Sequence, residues 1–447
     1  MGGDKESLSV PTKVSGEENI CVVGLGYVGL PTAIAFYEAG FKVTGVDVSE
    51  RVISELKAGR SPLIDSSSDL SIPSDTVRWH VTDDFSKAIP TSDVVLITVP
   101  TPVRKDKTPD LSYVENASRN ILENIDTEKM TVIVLESTVY PGVTREIIGG
   151  LCEKMGISTG KDVTLAYCPE RVNPGDFERG IDSVAQIVGC DDRDWGEWLT
   201  QLFGRISQEG STYVGKIEVA EASKLIENVQ RDIDIALANE LAIVLPKIGV
   251  DVEEVLAAAS TKWNFHRHTP GIGVGGHCIP VDPYYYIEMS QNVGFPSLLA
   301  SASRKINNLM PQNTADEIMS IMEKFGGKRI LILGFSYKAN VGDVRETPVE
   351  PLANHLRKNG YEVFIHDPLV EERDLPIWAR SHEDYGELDL IVLATNHQHY
   401  TFSNSNFWDS MGEKMSKARI YDGRRSLPKD ELEKSGWDYY AVGLPEK

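Results

Sequence analysis

Chemistry in this chain concentrates in one stretch, Gly275-Gly276-His277-Cys278-Ile279-Pro280-Val281-Asp282-Pro283. A thiol follows two glycines, with a carboxylate four residues later, and Gly271 and Gly273 upstream make the approach a loop. A thiol on such a loop is accessible, and nearby backbone N–H groups can lower its pKa or hold an oxyanion. That suits covalent catalysis; a small apolar cysteine in a tight turn is the plain alternative. A second set lies on a helical pattern from about Glu218 to Leu245, free of glycine and proline. Ala222, Leu225, Ile226, Val229, Ile233, Ala236, Leu237 and Leu241 recur at helical spacing as a buried stripe. Lys224 and Asn228, four apart, project from one face beside it. They form either a solvated edge or a polar pair facing the Cys278 loop from a rigid element. A third candidate is Glu170, in Cys168-Pro169-Glu170-Arg171-Val172-Asn173-Pro174-Gly175 after an expected strand at Val163–Tyr167. Prolines and a glycine around it mark a positioned loop acid.

These groups need a redox partner, and the first part of the chain is built for one. Asn19–Val23 reads as a strand running into Gly24-Leu25-Gly26-Tyr27-Val28-Gly29, then a helix from Pro31 to Gly40 and a strand from Phe41 to Val46 closing on Asp47. This is G-x-G-x-x-G between strand and helix, with an acid 23 residues after the first glycine. Gly24 permits the turn, Gly26 lets the backbone reach a pyrophosphate, and Gly29 lets helix and strand pack closely. Asp47 is expected to accept from the adenosine ribose and to repel a 2′-phosphate, so NAD is favoured over NADP. Arg51 either flanks the adenine or is solvated. Apolar strands at Asp93–Val99 and Met130–Leu135 end in turns carrying Thr101 and Thr138. Those threonines are candidates for the nicotinamide half, or plain turn caps.

The rest of the chain bounds the possibilities. At 447 residues it exceeds one ordinary core, so two or three domains are expected. Forty-five Lys+Arg against 67 Asp+Glu give −22, which argues against nucleic acid or an anionic membrane as partner. The five cysteines at 21, 152, 168, 190 and 278 form no C-x-x-C pair, so neither a disulfide framework nor a zinc knuckle is expected. Lys262, His266, Arg267 and His268 break the helical pattern between Ala258 and Thr269. Their spacing fits no metal signature. A cationic loop for phosphate, including that of a neighbouring subunit, fits better. Residues 1–18 read as a flexible polar tail without a signal peptide, and no apolar run is long enough to span a membrane. A reducing cytoplasm is expected.

Near Lys328 the α/β pattern returns, with strands at Arg329–Leu333, Tyr361–His366, Asp389–Ala394 and Ala418–Tyr421. The glycine fingerprint is absent; Gly334-Phe335-Ser336-Tyr337-Lys338-Ala339-Asn340-Val341-Gly342-Asp343-Val344-Arg345 takes its place. Lys338 and Arg345 beyond a strand end suit phosphate or ribose, and Asp422-Gly423-Arg424-Arg425 puts two more cations after the last expected strand. The fold expected is α/β, with two Rossmann-like doubly wound parallel-sheet domains joined by a central helical segment containing one long helix. A helix of that length between two α/β units also suits a dimer interface.

Over about residues 18 to 445 the chain resembles the UDP-sugar 6-dehydrogenase family, enzymes of UDP-glucose and UDP-N-acetylmannosamine dehydrogenase type. Gly24–Gly29, Cys168-Pro169-Glu170, Glu221 to Asn228, Gly275–Pro283, Gly334–Arg345 and Asp422–Arg425 carry the resemblance. Gly-Gly-His-Cys-Ile-Pro-Val-Asp-Pro and Cys-Pro-Glu-Arg are most similar to the branch acting on UDP-N-acetylhexosamines (GlcNAc, ManNAc or GalNAc). The UDP-glucose branch has a different residue before the cysteine, a Phe in place of Arg171, and a second loop carboxylate where this chain has Pro174. That acid's role is not carried over.

The resemblance implies a four-electron oxidation of a C6 alcohol to the uronate, using two NAD in turn. Cys278 would carry a thiohemiacetal and then a thioester. Lys224 and Asn228 would hold the oxyanion, Asp282 would position water or the lysine, and Glu170 would serve as base for hydrolysis. Tyr27 and Val28 would join Gly24, Gly26, Gly29, Asp47, Arg51, Thr101, Thr138 and Arg345 at the cofactor. Arg171, Arg267, Gly275, Tyr337, Lys338 and Arg424 would hold the UDP-sugar. The domains implied are a tail at 1–18, an NAD domain at 19–215, a central dimerisation domain with the cysteine loop at 216–312 and a UDP-sugar domain at 313–447. A homodimer or higher homo-oligomer serving polysaccharide or glycan synthesis follows. The competing readings are UDP-glucose oxidation, a two-electron hydroxyacid dehydrogenase, which lacks the nucleophilic cysteine, and an NAD-sensing scaffold, which would not keep Lys224, Asn228, Cys278 and Asp282.

Overall fold

Short apolar runs with two-residue alternation build both sheets. The computed structural model describes residues 10–63, 70–171, 181–379, 387–401, 403 and 405–445. The described strands are β1 (Asn19–Val23), β2 (Lys42–Val46), β3 (Trp79–Thr82), β4 (Val94–Ile97), β5 (Thr131–Leu135), β6 (Val163–Tyr167), β7 (Gln186–Cys190), β8 (Ser211–Gly215), β9 (Arg329–Leu333), β10 (Glu362–His366), β11 (Leu390–Leu393), β12 (Arg419–Asp422) and β13 (Asp438–Ala441). The first sheet runs β3-β2-β1-β4-β5-β6-β7-β8 and is parallel except for the β6–β7 pair. Alternate residues feed opposite faces. Ile20, Val22, Leu96 and Val134 pack with Leu30 and Phe36 on one side. Cys21, Val23, Val95, Ile97, Ile133 and Leu135 pack with Val114 and Ile121 on the other. Burial on both faces explains why these strands read as unbroken apolar runs. Truncating a fully buried member such as Leu96 to Ala would cost roughly 2–5 kcal/mol.

The second sheet, β10-β9-β11-β12-β13, is wholly parallel. Both orders place a switch beside the first strand of the sheet, where doubly wound folds take ligands. β13 follows β12, so Arg424 and Arg425 leave the penultimate strand and not the last one, contrary to the expectation from the sequence.

Contacts divide the chain into two units, Met1–Glu227 with Tyr284–Phe295, and Asn228–Pro283 with Pro296–Lys447. The helix Ile217–Val244 carries residues of both, 28 residues long. It ends where Pro246 opens a short 3-10 turn and Gly249, at φ 77°, reverses the chain. A second helix of the same length, Leu298–Phe325, was not singled out from the sequence. Ser297 caps its start, Gly326 at φ 66° closes it, and Pro311 lies inside it. Within the second unit the two helices are locked by buried polar groups. Asp232 accepts from Ser303 Oγ (2.7 Å), Arg304 Nη1 (2.5 Å) and Asn307 Nδ2 (2.8 Å). Asn239 donates to Asn307 Oδ1 (2.9 Å) and accepts from the N–H of Gly271 (3.0 Å), which ties the glycine-rich loop to this lock. Among the described residues no helix is long and apolar enough to cross a membrane.

Candidate active site

In the first unit the glycine fingerprint is shaped by what surrounds it. Gly24 has φ 98°, and its N–H donates to Val46 O at 2.8 Å. A Cβ on Gly29 would lie 1.8 Å from Gly24 O and 2.3 Å from Thr98 Oγ1, so only glycine fits between turn and helix. Gly26 differs: a Cβ there would meet no described residue beyond its own chain neighbours within 4 Å, leaving open space where a pyrophosphate would pass. Among the described residues no side chain caps the start of the Gly29–Glu38 helix; Leu30 N and Thr32 N donate to Gly26 O (3.1 Å) and Val28 O (3.2 Å) and Pro31 has no N–H, so in the first turn the Gly29 N–H is the donor left for an anion. Asp47 accepts from Leu25 N through Oδ2 and from Ser49 N through Oδ1, both at 2.8 Å. Each oxygen keeps a lone pair for a ribose hydroxyl. The residues present therefore fit a dinucleotide. Tyr27 and Val28 are half-buried, Arg51 is exposed and reaches Pro62 O (3.3 Å), and Thr101 and Thr138 are half-buried beyond β4 and β5.

Glu170 is half-buried beyond β6. The rest of its loop, Val172 to Gly175 with Pro174, lies outside the described residues. Arg171 meets Glu227 through Nη2 (2.6 Å) and Nε (3.3 Å) and Ala185 O through Nη1 (2.9 Å). Three of its donors are thus directed at protein. Lys224 is half-buried on the long helix. One turn before it, Glu221 is fully buried and accepts from Gly142 N (2.6 Å), Thr144 N (2.9 Å) and Thr144 Oγ1 (2.6 Å). Burial raises its pKa against these donors. It fixes the helix to the segment leaving β5, a role the sequence did not suggest.

In the second unit the cysteine loop and the long helix meet directly. Asn228 Nδ2 donates to Asp282 Oδ2 at 2.5 Å, and Asp282 is 2% exposed. The Cys278 carbonyl accepts from Val281 N (3.0 Å) and Asp282 N (2.8 Å), turning the chain into the helix Asp282–Asn292. Among the five cysteines Cys278 alone is not buried. Burial pushes Cys21 and Cys190 up to about 12 and Cys152 to about 11, removing them as nucleophiles. The loop glycines are explained by close packing. A Cβ on Gly275 would lie 2.6 Å from Tyr337 Cβ, and one on Gly276 would lie 2.7 Å from Tyr337 Cε2. Gly276 N also donates to Arg345 O at 3.1 Å.

The other expected ligand-binding cations of this unit have protein partners. Arg345 meets Asp343 through Nε (2.9 Å) and Nη2 (2.5 Å), and Arg267 pairs with Glu253. Arg424 donates to Ala394 O at 2.6 Å, and burial lowers its pKa to about 10, which leaves it charged at neutral pH. Lys338 is half-buried. Among the described residues no cluster of three or more metal-ligating side chains exists.

The two units repeat one construction with opposite outcomes. Gly334 N donates to His366 O (2.8 Å) and Phe335 N to Asp367 Oδ2 (2.6 Å), matching Gly24 to Val46 and Leu25 to Asp47. Asp367, however, has a fully buried side chain, with His397 Nε2 at 3.0 Å. Burial opposes its ionisation, yet His397 and the Ser336 and Phe335 N–H groups hold its pKa down to about 2. A carboxylate sealed in this way has no oxygen to offer a ribose, so the second turn is not a dinucleotide site.

Three family models match along the chain. They are the NAD binding domain of the UDP-glucose/GDP-mannose dehydrogenase family over residues 18–207, its central domain over 218–309 and its UDP binding domain over 331–429. The UDP-N-acetyl-D-glucosamine 6-dehydrogenase of Pseudomonas aeruginosa is 35% identical over 427 residues, covering 92% of this chain and 98% of that protein. The UDP-N-acetyl-D-mannosamine dehydrogenase of Pyrococcus horikoshii is 34% identical over 419 residues, covering 91% and 96%. The solved structure of the UDP-D-ManNAc dehydrogenase from Pyrococcus horikoshii superposes with TM-score 0.85 at 33% identity, covering 95% of this chain and 99% of that one. That of an NDP-N-acetyl-D-galactosaminuronic acid dehydrogenase from Methanosarcina mazei gives 0.79 at 28%, covering 96% of each. The chain belongs to the UDP-glucose/GDP-mannose dehydrogenase family and is an NAD-dependent oxidoreductase.

Proposed function

We propose that this member of the family oxidises the C6 alcohol of a UDP-N-acetylhexosamine to the uronate, a four-electron reaction that consumes two NAD. The observation that carries this reading is the partly exposed Cys278 thiol on a loop whose Asp282 is bonded to Asn228 of the long helix. Bound NAD supplies the hydride acceptor. Loss of a hydride from C6 to that acceptor, with the hydroxyl proton passing to solvent, would turn the alcohol into an aldehyde; the Cys278 thiolate adds to it and forms a thiohemiacetal. Loss of the remaining C6 hydrogen as hydride leaves a thioester. Water attacks the thioester carbonyl, Glu170 takes the water proton, and collapse expels the thiolate and frees the uronate.

Asn228 has two amide N–H donors. Asp282 fixes one, which leaves the other for the oxyanion, with Lys224 as the second donor. Gly24, Gly26, Tyr27, Val28, Gly29, Asp47, Arg51, Thr101, Thr138 and Arg345 hold the cofactor in this scheme. Arg171, Arg267, Gly275, Tyr337, Lys338 and Arg424 hold the UDP-sugar. The names of the relatives from Pseudomonas aeruginosa and Pyrococcus horikoshii support the N-acetylhexosamine. We also infer a homodimer. Val219, Ile226, Leu237 and Val244 are 45–54% exposed and spaced along one face of the long helix, and Ile226→Glu would then lower the mass measured by light scattering.

The test is a panel of UDP-hexoses incubated with enzyme and NAD. A UDP-N-acetylhexosamine should yield two NADH per sugar. Oxidation confined to UDP-glucose, or one NADH per sugar, would overturn the substrate or the four-electron route respectively.

A further inference from the structure

Beyond the groups assigned above, the first unit buries a carboxyl with no evident structural task. Glu136 is the residue after β5 and is 4% exposed. Its N–H donates to Ile97 O at 2.9 Å, which fixes its backbone at the end of the sheet. Its Oε2 is buried and has no hydrogen-bond partner among the described residues. A buried carboxylate oxygen with no donor is costly, whereas a protonated carboxyl is tolerated far better.

Its neighbours explain the placement. β5 and β6 run parallel with Leu135 opposite Tyr167, and Cys168 N donates to Leu135 O at 3.1 Å. The turn leaving β6 therefore starts beside Glu136 with Cys168, and Glu170, two residues on, is near enough for its charge to act on Glu136. Burial first, and the charge of Glu170 second, push the Glu136 pKa well above the ordinary carboxyl range. Burial, Glu136 and Glu170 together push up the Cys168 thiol, with Arg171 acting in the opposite sense. Among the described residues Tyr167, opposite Leu135 in the sheet, is a further titratable neighbour, and its hydroxyl donates to Ser137 O at 3.2 Å. Two carboxyls that feel one another's charge in this way do not both ionise readily, and the more buried one keeps the proton.

We propose that Glu136 is a protonated carboxyl coupled to Glu170, so that Glu170 is the ionised member of the pair. This rests on the assignment of Glu170 as the base for thioester hydrolysis. With one proton across the pair at neutral pH, the half-exposed Glu170 is the carboxylate that receives the water proton, and Glu136 adds no second charge to compete with it. Glu170→Gln removes the charge that opposes ionisation of Glu136.

The experiment is infrared difference spectroscopy of the full-length protein over a pH series, read at the carbonyl stretch of protonated carboxyls, together with the pH profile of acyl-enzyme hydrolysis. The wild type should show a protonated-carboxyl band at neutral pH that Glu136→Gln removes. In Glu170→Gln that band should titrate away at lower pH than in the wild type. Glu136→Gln should keep its neutral-pH hydrolysis rate within about threefold, and the acid limb of its profile should stay in place, because an already neutral neighbour has been exchanged for another. Absence of a band assignable to Glu136, or an acid limb moved by about a unit or more in Glu136→Gln, would overturn the proposal. The band is read without turnover, on the wild type and Glu170→Gln as well as Glu136→Gln. It therefore decides the pairing even if Glu136→Gln folds poorly, or if Glu170→Gln hydrolyses its adduct normally and loses its assignment as base.

Discussion

Replacing Gly26 and Gly29 separately by alanine isolates the cofactor site from the fold. A Cβ at Gly29 would lie 1.8 Å from the Gly24 carbonyl oxygen and 2.3 Å from Thr98 Oγ1. The first of these atoms is backbone, so the turn or the helix must move; overpacking of this kind costs roughly 1–3 kcal/mol or more. At Gly26 the same methyl meets nothing within 4 Å, and the backbone there is not at positive φ. Its effect on stability should stay within about 0.5 kcal/mol. It does fill the space above the turn, so NAD affinity should fall by roughly 10- to 100-fold, about 1.4–2.7 kcal/mol. Thermal melts without NAD and calorimetric titrations with it separate the two effects. Gly29→Ala should melt lower and bind weakly, whereas Gly26→Ala should melt normally and bind weakly. A Gly26→Ala protein with wild-type NAD affinity would refute the path drawn for the pyrophosphate.

Three further outcomes follow from the same geometry. The wild type should reduce NAD in strong preference to NADP, and Asp47→Ser should narrow that gap; equal use of both by the wild type would remove Asp47 from the ribose. Lys224→Ala should lose roughly 10²–10³ in kcat with little change in melting temperature, whereas a large loss of stability would make the lysine structural. Asp367 has its pKa depressed to about 2, so its contribution, roughly 2 kcal/mol, is complete above the unfolded value near 4 and fades as pH falls towards 2. Urea unfolding of Asp367→Asn should show a deficit at neutral pH that narrows over that window, and a deficit independent of pH would point to packing alone.

What was legible in the sequence was local. β1, β4, β5, β6 and β9 are apolar runs bounded by turns, and the long helix shows its apolar spacing without a breaker, but the stripe expected to be buried is not wholly so: Ile226 and Leu237 are 46% and 54% exposed, because helical spacing alone does not say which face a neighbour covers. The glycine fingerprint and Asp47 lie within one strand-helix-strand unit, so their meeting could be read from spacing. The helix Leu298–Phe325 was obscured by Pro311, although Ser297 and Gly326 were cues to its two ends. β3, β7, β8 and β13 were not read from the sequence; β3 and β8 are partly solvated along their length, which weakens their signal. Long-range partners were invisible. Gly275 and Gly276 announced a close approach, but not that Tyr337 makes it. Arg171 looked free for a ligand because Glu227 lies 56 residues away. Glu136 and Glu221 resemble ordinary polar residues until the sheet and the long helix bury them.

The most direct test of covalent catalysis is intact-mass and peptide mapping of the enzyme under turnover, paired with product analysis of Cys278→Ala. Wild-type turnover should release uronate. Glu170→Gln should accumulate protein heavier by one UDP-uronyl group, mapped to the peptide containing Cys278, with a burst of NADH before slow turnover. Cys278→Ala should form no uronate, because no thioester can form. A Cys278→Ala enzyme making uronate at near wild-type rate would contradict covalent catalysis at this loop, and an unmodified Glu170→Gln enzyme with normal turnover would remove Glu170 from the hydrolytic step.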